Sequence, residues 1–235
     1  MSRPKNYYLV IDTETVGDVT HPIAYDVGGL VCDRNGIIYD SFHFLVREVF
    51  ADLSWMSTAY YAHKFVEYLD RLSDGTLKSK PFGEIIAHID SLCDKWNIKY
   101  LCAYNLAFDL RSMGNTCEWL FENRKWLNHP LEPLCIWSAA CDVLYGKKFI
   151  RAAAKNNWRS EKGNIKTSAE VGYRYISKNN SFEEEHRGLD DCEIESKILA
   201  AVFAQHKPFN GKPVANPYRK VWAKAKKPLD KKPKV

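Results

Sequence analysis

The sequence has little that would tie it to a membrane, a secretory route or a soft metal. No apolar run approaches the roughly 18 residues that a membrane-spanning helix needs, so no membrane partner is expected. The opening residues Met1-Ser2-Arg3-Pro4-Lys5 are not followed by the apolar stretch of a secretory leader, and the expected setting is cytoplasmic. The seven cysteines are odd in number and include no C-x-x-C pair; most sit in apolar surroundings such as Leu101-Cys102-Ala103. That is the pattern of reduced core thiols, not of a disulfide framework or a zinc site. Acids are scarce at one end of the chain. Residues 207–235 carry ten Lys/Arg against Asp230 alone, whereas 1–206 carry 24 basic and 28 acidic residues, so the net charge of +5 comes from the C-terminal segment. That segment also holds five of the ten prolines. It reads as an extended basic tail, suited to a polyanion such as nucleic acid or to solubility alone.

What is present is enough for a core: 46% of residues are hydrophobic and 13% aromatic, which excludes disorder throughout. Strands are predicted over 7–12, 24–33 and 36–46, the last two joined by the turn Asp33-Arg34-Asn35-Gly36. Residues 47–80 are aromatic and charged, helical around Ser57–Leu72 and turn-rich after it. Pro81 opens a helix with Ile85, Ile89 and Leu92 at helical spacing. A strand at Lys99–Asn105, a helix capped by Asn105, a strand and then a helix over Pro133–Gly146, and a basic, loop-like stretch over 147–166 follow. Thr167 or Ser168 caps the next helix, and the last strong one spans about 187–205. Antiparallel strands first, then alternating strands and helices, predict an α/β fold: a mixed five-stranded sheet with helices on both faces and a basic C-terminal tail.

Chemistry concentrates at three acidic places. Asp12 and Glu14 follow the apolar run Tyr8-Leu9-Val10-Ile11. Side chains two apart on a strand share a face at roughly 7 Å, so two unpaired carboxylates there call for something positive between them. Asp109 stands in "AYNLAFD" at the start of a helix, beside the apolar stripe Leu106, Leu110, Met113 and Cys117. In "HRGLDDCEIESKIL", about 100° per residue aligns Asp191 with Ile194 and Ile198 and leaves Asp190 with Glu193 and Lys197. Asp190 is therefore the solvated one. Asp191 lies on an apolar face, where a charge is costly unless it is paired or bound to metal. His186 precedes it by five residues. Oxygen donors without a cysteine or histidine cluster suit Mg²⁺ or Mn²⁺. Four carboxylates balance two such ions, which together hold both oxygens of an in-line displacement at phosphorus; a neutral histidine beside them accepts the proton of the attacking water.

Asp12-Thr13-Glu14, Asn105 to Asp109, and His186 to Asp191 together resemble the three motifs of the DEDDh (DnaQ-like) 3′–5′ exonucleases, in that order and at similar spacings. The resemblance covers residues 7–206 and implies an RNase H-like fold over 1–206, with 47–80 as a family-variable insertion and 207–235 as an added tail. It implies a two-metal hydrolase that releases nucleoside 5′-monophosphates from 3′ ends of DNA or RNA. Asp12, Glu14 and Asp191 would ligate one Mg²⁺ or Mn²⁺ ion, Asp12 and Asp109 the second, with His186 as general base. Thr15 and Val16, which follow the first motif, and Asn105, Leu106 and Phe108 in the second would grip the terminal nucleotide. A binding module of the same fold without catalysis and a structure-specific endonuclease are the alternatives. DNA and RNA stay equally open, as do strand preference and any protein partner.

Overall fold

The computed structural model describes residues 5–123 and 125–226 of the chain. Strand β1 (Tyr7–Val16) is built on Leu9, Val10 and Ile11, all fully buried; each is worth about 1.5–3 kcal/mol relative to exposure. It pairs antiparallel with β2 (Ile23–Asp33), which pairs antiparallel with β3 (Ile38–Val46). The segment after β3 forms α1 (Arg47–Phe50), α2 (Leu53–Met56), a 3₁₀ turn (Ala62–Lys64), α3 (Phe65–Ser73) and β4 (Lys78–Lys80), which lies parallel to β3. Then come α4 (Phe82–Trp96), β5 (Tyr100–Ala103), α5 (Leu106–Phe121) and β6 (Glu132–Cys135). Helix α6 (Ile136–Ala139) runs on into a π turn (Ala140–Leu144), and α7 (Lys147–Lys155), α8 (Ala169–Ser177), α9 (Gly188–Phe203) and α10 (Tyr218–Ala225) complete the chain.

The sheet runs β4-β3-β2-β1-β5-β6, with β5 parallel to both β1 and β6. It is mixed, as expected, but has six strands and not five. The extra one is the polar edge strand β4, whose three residues carry no apolar alternation to betray it. Alternation along β1 divides the core. Leu9 and Ile11 pack with α4, α5 and the apolar residues of α1 to α3. Tyr8 and Val10 pack with the elements from α6 to α10.

Two further expectations are corrected. The basic stretch 147–166 is not all loop: Phe149, Ile150 and Ala153 make a buried stripe that holds α7. Nor is the whole of 207–235 an extended arm. Val221 of α10 is fully buried, Lys220 pairs with Asp142, and the Lys224 ammonium donates to the carbonyl oxygens of Cys141 and Asp142. Residues 207–226 are thus part of the body, and 227–235 lie outside the described residues. All seven cysteines are buried and free. Among the described residues, no helix is long and apolar enough to cross a membrane.

Three features of this frame position the site. Parallel pairing of β1 with β5 stops at Val10, opposite Cys102, while pairing with β2 continues to Val16. One edge of β1 is therefore open from Ile11 onward, at the carboxyl end of the parallel strands, where open α/β sheets hold their ligands. The register with β2 then shifts between Glu14 and Thr15, where Tyr25 is the extra residue of a bulge on β2. Finally, α9 lies against β2 backbone to backbone: a Cβ added to Gly28 would lie 2.0 Å from the Gly188 carbonyl carbon, and one added to Gly188 would lie 2.4 Å from the Gly28 nitrogen.

Candidate active site

Asp12 and Glu14 lie inside β1, not at its end, on the face that looks toward α9. Thr13 points the other way, toward α5. Its backbone N–H and hydroxyl both donate to Asp109 Oδ1, at 3.2 and 3.0 Å, and its hydroxyl shares a 2.7 Å hydrogen bond with that of Ser112. Thr13, the residue between the two acids, thereby ties the first acidic segment to the second. Asp191 enters from the first turn of α9, where the helix dipole favours a carboxylate. That helix start has no side-chain cap from its own preceding residue. Instead the Gly188 N–H donates to Asp26 Oδ2 at 3.3 Å, which satisfies one of the open amides of the first turn. Asp26 is fully buried on β2 and also accepts from Tyr68 Oη and meets His43 Nε2, each at 2.7 Å.

His186 sits just before α9 with φ of 48°, a left-handed conformation uncommon for a residue other than glycine. Segment 47–80 holds it there. The Tyr61 ring stacks on the imidazole at 4.3 Å with 15° between planes, the Lys64 ammonium donates to the Glu185 carbonyl oxygen, and Glu67 pairs with Arg187. Asp190 pairs with Arg187 at 2.5 Å, so it is turned from the site, as expected. One ligand atom from each of Glu14, His186 and Asp191 falls within 4.8 Å of the others.

Asp12, Glu14, Asp109, His186 and Asp191 all line one cleft of about 560 Å³, together with Asn105 and Phe108. Asn105 precedes α5 as expected, but its side chain makes no capping hydrogen bond; it belongs to the cleft wall. Three expected nucleotide-gripping residues are corrected. Val16 is fully buried in the core that holds Leu9 and Ile11, and Leu106 is fully buried at the start of α5. Thr15 does not reach the cleft wall, where Thr13 stands instead. Of the tyrosines in 47–80, Tyr60 is exposed and Tyr68 is buried on Asp26, which leaves Tyr61 at the site.

Two acids escaped the sequence reading. Glu195 is buried in the cleft, its Oε2 accepting from the Tyr104 N–H at 3.0 Å. It follows Asp191 by one helical turn, and that spacing was the signal. Glu184 also lines the cleft, 3.9 Å from His186 Nδ1.

Crowding of carboxylates in a dry cleft shows in their acidities. Burial, then the neighbouring Glu195, pushes Asp12 well above the usual carboxylate range. Burial and Asp191 raise Glu14 to about 9. Burial and Glu184 raise Asp191 to about 8. Asp109 rises by burial to about 7, opposed by its hydrogen bonds from Thr13. Burial, then Asp109, raises Glu195. His186 moves the other way, lowered by burial and then by Lys64. Such a set suits a bound cation. Asp191 Oδ1 is buried with no hydrogen-bond partner, an orphan acceptor that is costly unless something positive meets it. All-oxygen donors fit a hard divalent ion.

No protein-family model and no curated protein matches the chain. Solved structures do match it. Apo exonuclease I aligns over 87% of this chain with a TM-score of 0.53 at 17% identity. E. coli exonuclease I in complex with a dA16 oligonucleotide aligns over 86% at a TM-score of 0.54 and 16% identity. A zinc-bound form of the E. coli exonuclease I–single-stranded DNA complex aligns over 86% at 0.52 and 15%. The chain covers 43%, 41% and 42% of those three chains, less than half of each. What it shares with exonuclease I, at this identity, is a fold: the mixed sheet and its flanking helices.

Proposed function

We propose that the chain is a divalent-metal-dependent nuclease of the DEDDh kind, a 3′–5′ exonuclease acting on single strands. One observation carries this reading: Asp12, Glu14, Asp109 and Asp191, remote in sequence, meet with His186 in one cleft on a fold shared with exonuclease I. That the neighbours include complexes with a dA16 oligonucleotide and a 5cy-dT13 oligonucleotide supports single-stranded DNA as the first substrate to try.

The carboxylates would hold the metal: Asp12, Glu14 and Asp191 one ion, Asp12 and Asp109 another. Mg²⁺ or Mn²⁺ bound there supplies positive charge against the carboxylates and against the phosphate oxygens as charge develops on them. His186, kept neutral near pH 7 by burial and by Lys64, accepts the proton of the attacking water. Its oxygen bonds to phosphorus, the P–O3′ bond breaks, and the departing 3′ oxygen takes up a proton. The product is a nucleoside 5′-monophosphate. Tyr61 keeps the imidazole in place through the strained backbone at His186. Asn105 and Phe108 flank the terminal nucleotide.

The test is digestion of 5′-labelled and 3′-labelled single strands of DNA and RNA with Mg²⁺ or Mn²⁺, beside Asp191→Asn. A ladder shortening from the 3′ end, lowered at least about 10²-fold by Asp191→Asn, the scale of one lost electrostatic contact to the transition state, is expected. Binding without shortening at high Mn²⁺ would mean a module that only binds. Cuts in a circular single strand would mean an endonuclease.

A further inference from the structure

The cleft has a second wall that the acids do not use. Tyr104 at the end of β5, Trp137 of α6, and Tyr218 and Trp222 of α10 all line it. Their rings run in series. Tyr104 and Trp137 lie 6.2 Å apart with 20° between planes, Trp137 and Tyr218 5.8 Å and 32°, Tyr218 and Trp222 4.4 Å and 43°. The polar ends of three of these rings are already engaged by one stretch of backbone and side chain. The Trp137 indole N–H donates to Thr167 Oγ1 at 2.9 Å, the Trp222 indole N–H to the Ile165 carbonyl at 2.9 Å, and the Tyr104 hydroxyl to the Thr167 carbonyl at 2.6 Å. Tyr104 itself is buried, and what Trp137, Tyr218 and Trp222 still offer a ligand is ring surface, held at fixed angles.

Seating α10 leaves part of that surface open. Buried Val221, the Lys220–Asp142 pair and the two Lys224 hydrogen bonds dock the helix, while Trp137, Tyr218 and Trp222 remain half-buried. Around the rings the same cleft is lined by Ser160, Asn164 and Lys166, and Arg219 on α10 and Lys226 just after it stand exposed. Flat apolar faces bordered by hydroxyl, amide and cationic groups match a strand of nucleotides: bases stack on rings whatever their identity, and phosphates meet the donors. In a duplex the base faces are already covered, so the wall selects unpaired bases. The wall begins at Tyr104, whose N–H holds Glu195 of the acidic centre.

We infer that the aromatic wall completed by Tyr218 and Trp222 is a stacking subsite for unpaired bases upstream of the scissile bond in a single strand. The inference rests on the nuclease reading for the polarity of the strand, but it is tested by binding alone. Anisotropy of 5′-labelled dinucleotide, tetranucleotide and decanucleotide single strands, each ending in a non-cleavable 3′ phosphorothioate linkage, measures affinity against length. For the unaltered protein, affinity rises with length and a duplex of the same sequence binds more weakly. In Tyr218→Leu/Trp222→Leu that gain with length falls by about 5- to 150-fold, the scale of stacking one base. Tyr218→Phe/Trp222→Phe, which keeps rings on the same helix, retains it and so separates stacking from a loss of fold. The inference is overturned if the leucine pair keeps the full gain with length, if the phenylalanine pair loses as much as the leucine pair, or if duplex binds as well as single strand. A protein that shows the length gain but hydrolyses nothing would refute the nuclease reading and leave the wall standing.

Discussion

Replacing Gly28 by alanine tests whether the backbone contact between β2 and α9 sets the geometry of the acids. The added Cβ would lie 2.0 Å from the Gly188 carbonyl carbon and 2.1 Å from the Leu189 nitrogen, both main-chain atoms with no rotamer to yield. Ordinary contact begins near 3.5 Å, so the start of α9 must recede by about 1.5 Å. Asp191 rides on that turn, three residues after Gly188. Displacement of about 1 Å at a catalytic group costs about 10²-fold in rate, and overpacking of this kind costs about 1–3 kcal/mol in stability. For a chain of this size that is a fall of about 2–12 °C in Tm. The expected outcome is a folded protein that melts a few degrees early yet cuts a 3′-labelled strand at least about a hundredfold more slowly, with weaker Mn²⁺ binding by calorimetry. Gly83→Ala on α4 is the control, since its added Cβ would meet only the Phe121 ring at 3.8 Å, and it should be neutral or slightly stabilising. Wild-type turnover and melting in Gly28→Ala would refute the claim that this seat aligns the acids.

Two buried aspartates should respond to amidation with opposite signs. Asp191→Asn removes a carboxyl that must take up a proton on folding near neutral pH and so raises the Tm of the metal-free protein, whereas Asp26→Asn breaks the His43, Tyr68 and Gly188 network and costs about 3 kcal/mol, read by thermal melting in EDTA. Because Asp109, Asp191 and Glu14 hold protons in the native state up to about 7, 8 and 9, against ordinary values near 4 when unfolded, the native state binds more protons across that window. Metal-free stability should therefore be highest at the acid end of the window and fall as pH rises toward 9. Mg²⁺ or Mn²⁺, which displaces those protons, should stabilise most at the alkaline end, and a Tm in EDTA that stays level from pH 6 to 9 would contradict this. Tyr61→Ala should lower kcat by up to about tenfold, the worth of a stacked ring pair, while Tyr61→Phe retains it; equal loss in both would point to the hydroxyl and away from stacking on His186.

How much of this was legible in the sequence depends on whether a residue obeys simple periodicity. Asp12 with Glu14 follows a two-residue repeat, and Asp191 against Asp190 follows 100° per residue, so both came out of the pattern. Glu195 follows the same helical rule, but it stands next to Ile194 and Ile198, whose spacing marks a packing face. Val16 could not be placed that way: it has the parity of Tyr8 and Val10 yet packs in the Leu9–Ile11 core, past a register shift that leaves no composition mark. Strand β4 is three polar residues held by pairing to β3, and α7 buries only three of its residues, Phe149, Ile150 and Ala153, among its lysines and arginine. In α10, prolines and basic residues on either side outweighed the short stripe Tyr218, Val221 and Trp222. Tertiary packing decided each of these cases, and none has a local signal strong enough to overrule its surroundings.

The docking of α9 joins residues that the ribosome makes far apart: Gly188 reaches Asp26 across 162 positions, and the Cys192 thiol reaches the Val10 carbonyl across 182. Contacts of that separation form late and slowly. A nascent chain therefore carries Asp12 and Glu14 with no partner helix beside them until α9 has been made.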